Sequence, residues 1–198
     1  MNAKTLSLSG FAPPIIELPI GQNWHRVQLT KALKGSIRVS GFVLPPAGAL
    51  SGRFDLVDEP VAYLADSDLT TLYERFFRRE TRSIHVDQLK LRALAIFTNT
   101  ATLRLADLRA LPEQFPVLVS QRYELSQLTA RRCRDQGLHG LLYASAQHPE
   151  HACLCLFSDG INLMKRTSQM PLIQTSTGAL HRAVVLAVRG SQVPLLSD

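Results

Sequence analysis

The apolar residues of this chain are gathered into short runs rather than long helical stripes, and that restricts the folds open to it. The runs at 61–65, 91–97, 141–145, 152–157 and 183–188 each read as a buried strand. Trp24–Leu29 and Thr102–Leu105 read as strands with partly polar faces. Strict alternation of strand and helix, which a doubly wound parallel sheet requires, is missing. The pattern predicts an α+β fold, a single domain of mixed sheets with flanking helices. At 198 residues the chain is long enough to bury one real core.

Helical spacing is confined to two places. After Ala65, either Asp66 or Ser67 can cap a helix, and Asp68 suits the positive end of its dipole. Leu69, Leu72, Tyr73, Phe76 and Phe77 then recur on one face, and Arg75, Arg78 and Arg79 suit the C-terminal end. A second helix is predicted from about Tyr123 to Asp135, with Gly137 near its C-cap. Residues 34–60 are rich in Gly and Pro and read as turns. Asp107 opens a brief turn that Pro112 ends. Residues 1–22 hold three of the eleven prolines and read as an extended arm, with the main domain at 23–198.

The formal charge is +6, and arginine supplies it, with 17 Arg against 5 Lys. The planar guanidinium fork suits bidentate binding of phosphate and carboxylate. Such a balance fits a nucleic-acid binder, a binder of phosphorylated small molecules, or a protein with an acidic partner. Aromatic residues are 7% of the chain and do not interleave with the basic clusters, which disfavours direct nucleic-acid binding through a stacking platform. Three cysteines, Cys133, Cys153 and Cys155, argue for a reducing compartment. No apolar run approaches the ~20 residues a membrane span needs. The first ten residues are too polar for a signal sequence, so a cytoplasmic location is expected.

Five residues stand out chemically. Glu74 lies in an otherwise greasy helical turn, off the centre of the apolar stripe. Its plain reading is a solvated glutamate paired with Arg78 at i+4. Arg26 in a strand and Arg53 after Gly52 read as surface arginines, or as a clamp for a pyrophosphate. Tyr63 is a core aromatic or a platform for a flat ring. Ser145 caps a strand end, or hydrogen-bonds a ribose or phosphate oxygen. It has no His–Asp partnership in sequence that would make it a nucleophile.

Taken in order, these segments resemble the RES-domain family, named for its arginine, glutamate and serine. His25-Arg26-Val27 is similar to the family's opening arginine segment. Gly52-Arg53-Phe54-Asp55 resembles its glycine–arginine–aromatic motif, where asparagine often stands in place of Asp55. Tyr63-Leu64-Ala65 and the helix bearing Glu74 resemble its strand and acidic helix, and 137–145 resembles the stretch ending in its serine. The resemblance implies a fold related to ADP-ribosyltransferases and cleavage of the nicotinamide–ribose bond of NAD+, with no metal. It implies a toxin that depletes NAD+ as a glycohydrolase or phosphorylase, paired with an Xre-type helix-turn-helix antitoxin. On that footing Glu74, Arg53 and Ser145 are the expected catalytic residues, and Arg26, Arg53, Tyr63, Glu74 and Ser145 the expected NAD+-binding ones. A mono-ADP-ribosyltransferase acting on a protein is the alternative, and a non-enzymatic basic binding module the second.

His148, His151, Cys153 and Cys155 lie close in sequence, but their spacing matches no metal motif, and Cys153 and Cys155 would share one strand face toward the core. Arg131, Arg132 and Arg134 read as a solvated helix face. No Gly-rich phosphate loop of Walker or Rossmann type is present. The apolar segments Phe11–Ile16 and 193–196 are the expected surfaces for an antitoxin or for a homodimer contact.

Overall fold

The computed structural model describes residues 12–110 and 123–197. Its framework is an eight-stranded sheet in the order β1-β8-β9-β10-β5-β2-β7-β11. The strands are β1 (Ile15–Leu18), β2 (Asn23–Leu29), β5 (Ala62–Ala65), β7 (Arg92–Asn99), β8 (Leu103–Asp107), β9 (Gly140–Ala144), β10 (Ala152–Leu156) and β11 (Met164–Pro171). Short β3 (Ile37–Val39) and β4 (Phe42–Leu44) form a hairpin, and β6 (Ile84–His85) pairs with β12 (Leu195–Leu196). Every neighbour in the large sheet is antiparallel except β8 and β9, which are parallel and joined by a crossover containing α3 (Glu124–Asp135). The fold is therefore α+β with a mixed sheet, as the short apolar runs predict.

Side-chain alternation gives the sheet two faces. Trp24, Phe97, Leu105, Leu154 and Met164 pack on one, where Phe42 stacks on Phe97 at 3.7 Å between centroids. The other face holds two separate clusters. Val27, Leu72, Phe77, Leu94 and Val184 form one, below the β2–β7 side. Phe54, Leu56, Leu138, Leu141 and Phe157 form the other, below the β9–β10 side. The two are separated where β5 meets β2, and there the sheet comes apart. β2 pairs with β7 through seven residues but with β5 only through His25 and Ala65.

Helix α1 (Asp68–Arg75) covers this parting. Ser67 caps it by accepting from the Thr70 amide, and Asp68 sits in its first turn. Asp66 instead accepts from the Ala152 amide and the His151 ring. The helix ends at Arg75, so Arg78 and Arg79 lie beyond it, because the chain turns inward to bury Phe76 and Phe77.

The run at 183–188 corrects the strand expected there. It lies within α5 (Arg182–Ser191), where Ala183, Val184 and Ala187 are buried together against α1. That spacing also satisfies a helix, and a short β-branched run cannot distinguish the two by composition. Ile15 and Ile16, from the expected arm, form the sheet-edge strand β1 against β8. Phe11 lies outside the described residues, as does Pro112. Leu196 is exposed, while Val193 is buried. Among the described residues no helix is long and apolar enough to cross a membrane.

Candidate active site

Where β2 and β5 separate, each strand exposes backbone groups that a continuous ladder would have paired. Both lips are closed by side chains instead. The Val27 amide donates to Thr71 Oγ1 of α1 at 3.1 Å. On the opposite lip the Tyr63 carbonyl accepts from the Arg26 guanidinium at 2.6 Å. Between them lies a cleft of about 640 Å3, lined by both strands, by the 51–55 turn and by the end of α1. That volume suits a ligand the size of a nucleotide.

Glu74 enters the cleft from the last turn of α1. Its Oε1 accepts from Ser145 Oγ at 2.6 Å, from the Ala146 amide at 3.0 Å and from the Gln147 amide at 3.3 Å. The Ser145 hydroxyl accepts in turn from the His148 amide at 3.0 Å. Among the described residues every hydrogen bond to this carboxylate falls on Oε1. The i+4 pairing with Arg78 is not formed at the carboxylate, because Arg78 Nε donates to the Glu74 carbonyl oxygen. Ser145 stands behind Glu74 and is not among the residues that line the cleft.

Arg53 is presented by a turn whose geometry requires glycine at 52. A Cβ there would lie 2.5 Å from Asp55 Oδ1 and 2.6 Å from the Tyr63 hydroxyl. Asp55 accepts from the Gly52 amide and from the Tyr63 hydroxyl, which itself accepts from the Phe54 amide at 2.8 Å. Gln127 of α3 donates to the Gly52 carbonyl from the other side. Asp55 thus performs a fastening task that needs only an acceptor oxygen, and Tyr63 binds the arginine turn to β5.

Electrostatically the cleft is dominated by cations. Burial, and then the charge of Arg75, lower the Arg26 pKa to about 10, which leaves it charged at neutral pH. The Nε atoms of both Arg26 and Arg53 are buried without a partner. Burial raises the Tyr63 and Tyr143 phenols well above their usual range, so both remain donors. It also raises the thiols of Cys153, which lines the cleft, and of Cys155, which removes either as a nucleophile at neutral pH.

Four of the five residues expected from sequence, Arg26, Arg53, Tyr63 and Glu74, line one cleft, and Ser145 is bonded directly to the fourth. Sequence reasoning missed Thr71, Arg75, Arg78, Arg92 and Tyr143, which also line it. In sequence Arg75 and Arg78 suit a helix dipole and Arg78 also an i+4 pair with Glu74, and nothing local distinguishes Arg92 from other strand-end arginines. Among the described residues no group of three or more His, Cys, Asp or Glu side chains is placed to hold a metal ion. His148 and His151 stack at 3.9 Å, with Nδ1 atoms bonded to Thr70 and Asp66 respectively.

The RES domain family model matches residues 23–174, which spans the whole cleft. Among solved structures, a chain of the M. tuberculosis MbcT–MbcA toxin–antitoxin complex is similar, with a TM-score of 0.56 and 15% sequence identity over 79% of this chain and 86% of that one. At that identity the likeness concerns the fold. A search of curated protein sequences finds no match.

Proposed function

This chain belongs to the RES-domain family, and from that premise we propose that it is the toxin of a toxin–antitoxin pair and acts by cleaving the nicotinamide–ribose bond of NAD+. The observation that carries the reading is a carboxylate fixed by three hydrogen bonds on one oxygen, inside a cleft whose lining also includes five arginines. Arg26 and Arg53, with unpartnered buried Nε atoms, are suited to the two charges of a pyrophosphate. Tyr63 and Tyr143 offer aromatic surface beside it for the nicotinamide or its ribose.

In this reaction the C1′–N bond breaks and its electron pair stays with the ring, which leaves as neutral nicotinamide. The ribose carbon becomes oxocarbenium-like, and a negative charge already fixed beside it is most stabilising then. Glu74 serves this purpose, with Oε2 left for the ribose because Oε1 is engaged by Ser145 and two amides. Ser145 is therefore a positioning residue, holding Glu74 rather than the substrate. Water, phosphate or a protein side chain then takes the ribose carbon, and the third acceptor would make the protein a mono-ADP-ribosyltransferase. The partner consistent with the family and with the toxin–antitoxin complex of similar fold is an Xre-type antitoxin.

The test is nicotinamide release from NAD+ by antitoxin-free protein, with and without phosphate, beside Glu74→Gln. Wild-type release with a loss of about 100- to 1,000-fold in the folded variant is expected, since one preorganised electrostatic contact contributes on that order. Equal release by both proteins would overturn the assignment of Glu74. No release from folded wild type would overturn hydrolase and phosphorylase alike.

A further inference from the structure

Glu74 takes its direction from the turn at 145–148, and that turn is itself tied to α1 or to the chain just past it. One tie is Glu74 Oε1, which accepts from Ser145 Oγ and the Ala146 amide. Another is the Gln147 side chain, which accepts from the Arg79 amide at 3.0 Å. A third is the His148 ring, whose Nδ1 lies 2.8 Å from Thr70 Oγ1 in the first half of the helix. The His148 amide donates to Ser145 Oγ, so one residue joins α1 to the hydroxyl that holds the carboxylate. His148 does not line the cleft and therefore acts, if at all, through Ser145 and Glu74.

Its surroundings favour a neutral ring. Thr70 is fully buried, and its Oγ1 also lies 2.7 Å from Ser67 Oγ, which caps α1. With His148 Nδ1 unprotonated, the Ser67 and Thr70 hydroxyls donate in series toward it. A proton on Nδ1 makes the ring a donor and forces the series to reverse. His148 also stacks on His151 at 3.9 Å, within 10° of parallel, and His151 Nδ1 lies 3.0 Å from Asp66 Oδ1. Two imidazolium rings at that spacing repel, and Asp66 is the carboxylate bonded to the pair. Tyr73 of α1 is the other ring against His148, at 4.9 Å, and His25 of β2 feels Asp66 and Asp68 as well. Burial and then His151 lower the His148 pKa against the pull of Asp66.

We infer that His148 is a positioning residue for Glu74: its neutral ring, backed by His151, fastens the 145–148 turn to α1 and so sets the direction of the carboxylate. The inference rests on the reading of Glu74 as the group that meets the ribose. Release of the ring leaves Glu74 in the cleft with a looser support behind it, so the rate falls while substrate affinity changes little.

Amide hydrogen exchange and nicotinamide release, both measured on the full chain for wild type, His148→Ala and His148→Asn, test it. Without NAD+ and at about pH 7.5, His148→Ala should exchange faster at the Ala146 and Gln147 amides. Its kcat should fall about tenfold, with KM within about twofold of wild type. His148→Asn offers an amide near the place of Nδ1 and should restore most of that rate. It should also keep the rate at about pH 5.5, where wild type loses it as the ring takes a proton. Rates are taken per folded molecule, with folding followed by circular dichroism. Unchanged exchange in folded His148→Ala overturns the inference. Faster exchange with an unaltered kcat overturns it too, leaving a structural tie alone. An acid loss shared equally by His148→Asn overturns the part played by the neutral ring. Wild type that releases no nicotinamide overturns the reading of the reaction instead, and exchange then decides by itself whether His148 holds the turn.

Discussion

Ser145 Oγ donates to Glu74 Oε1 at 2.6 Å, joining the end of β9 to α1 across 71 positions of sequence. The same hydroxyl accepts from the His148 amide, so it links the 145–148 turn to the carboxylate the turn faces. Ser145→Ala removes a hydrogen bond to a charged group, which contributes about 1.5–3 kcal/mol. We expect kcat for nicotinamide release to fall about 10- to 100-fold with a smaller change in KM, as for a loosened carboxylate. Ser145→Thr should restore most of it. A lowered melting temperature with unchanged kcat per folded molecule would show a structural role only.

The arginine turn depends on the missing side chain at 52. Gly52→Ala places a methyl within 3 Å of Asp55 and Tyr63. The expected cost is about 1–3 kcal/mol, as for overpacking. Tyr63→Phe leaves the Phe54 amide and an Asp55 oxygen without their partner, at a similar cost. Both should weaken dinucleotide binding, because Arg53 lies inside this turn. Denaturant unfolding alongside NAD+ titration checks it, and unchanged affinity in a folded variant would detach Arg53 from the ligand.

Thr71 tests the parting of the sheet. Its Oγ1 is the acceptor for the Val27 amide where β5 has turned away. Thr71→Val keeps the shape but orphans a buried donor, at about 1–3 kcal/mol. Amide hydrogen exchange should then speed up at Val27 ahead of the β2–β7 ladder. Uniform exchange along β2 would contradict this account.

Acid should destabilise the fold through its histidines. Burial, and then His151, lower the His148 pKa, while Asp66 raises it. Burial lowers that of His25 against Asp68 and Asp66. Both folded values lie below the unfolded 6.5, so their stabilisation is fully present above pH 6.5 and is lost as pH falls through the folded values. Thr70, the His151 ring and the Tyr73 ring surround His148, and Asp66 reaches it through His151. Urea unfolding from about pH 7.5 to about pH 5.5 should show stability falling, with a shallower slope in His148→Gln. Identical slopes would remove His148 from the explanation.

Much of this was legible in local pattern. The short apolar runs gave most of the large sheet's strands and the α+β class, and the cap at Ser67 with the stripe through Leu72 gave α1. Both are encoded by neighbours in the chain, through side-chain periodicity and backbone capping. The run at 183–188 was ambiguous because its burial against α1 is a long-range fact. The same limit held at the site. Arg26, Arg53, Tyr63, Glu74 and Ser145 could be named because the segments that carry them resemble, in order, those of the RES family. Only the tertiary structure decided that β2 and β5 separate after one bridge, that Thr71 and Arg26 close the two lips, and that Ser145 holds Glu74. Periodicity reports which face of an element is buried. It does not report what an arginine meets across a cleft, which is why Arg75, Arg78 and Arg92 could be placed on the cleft wall only once the chain had folded.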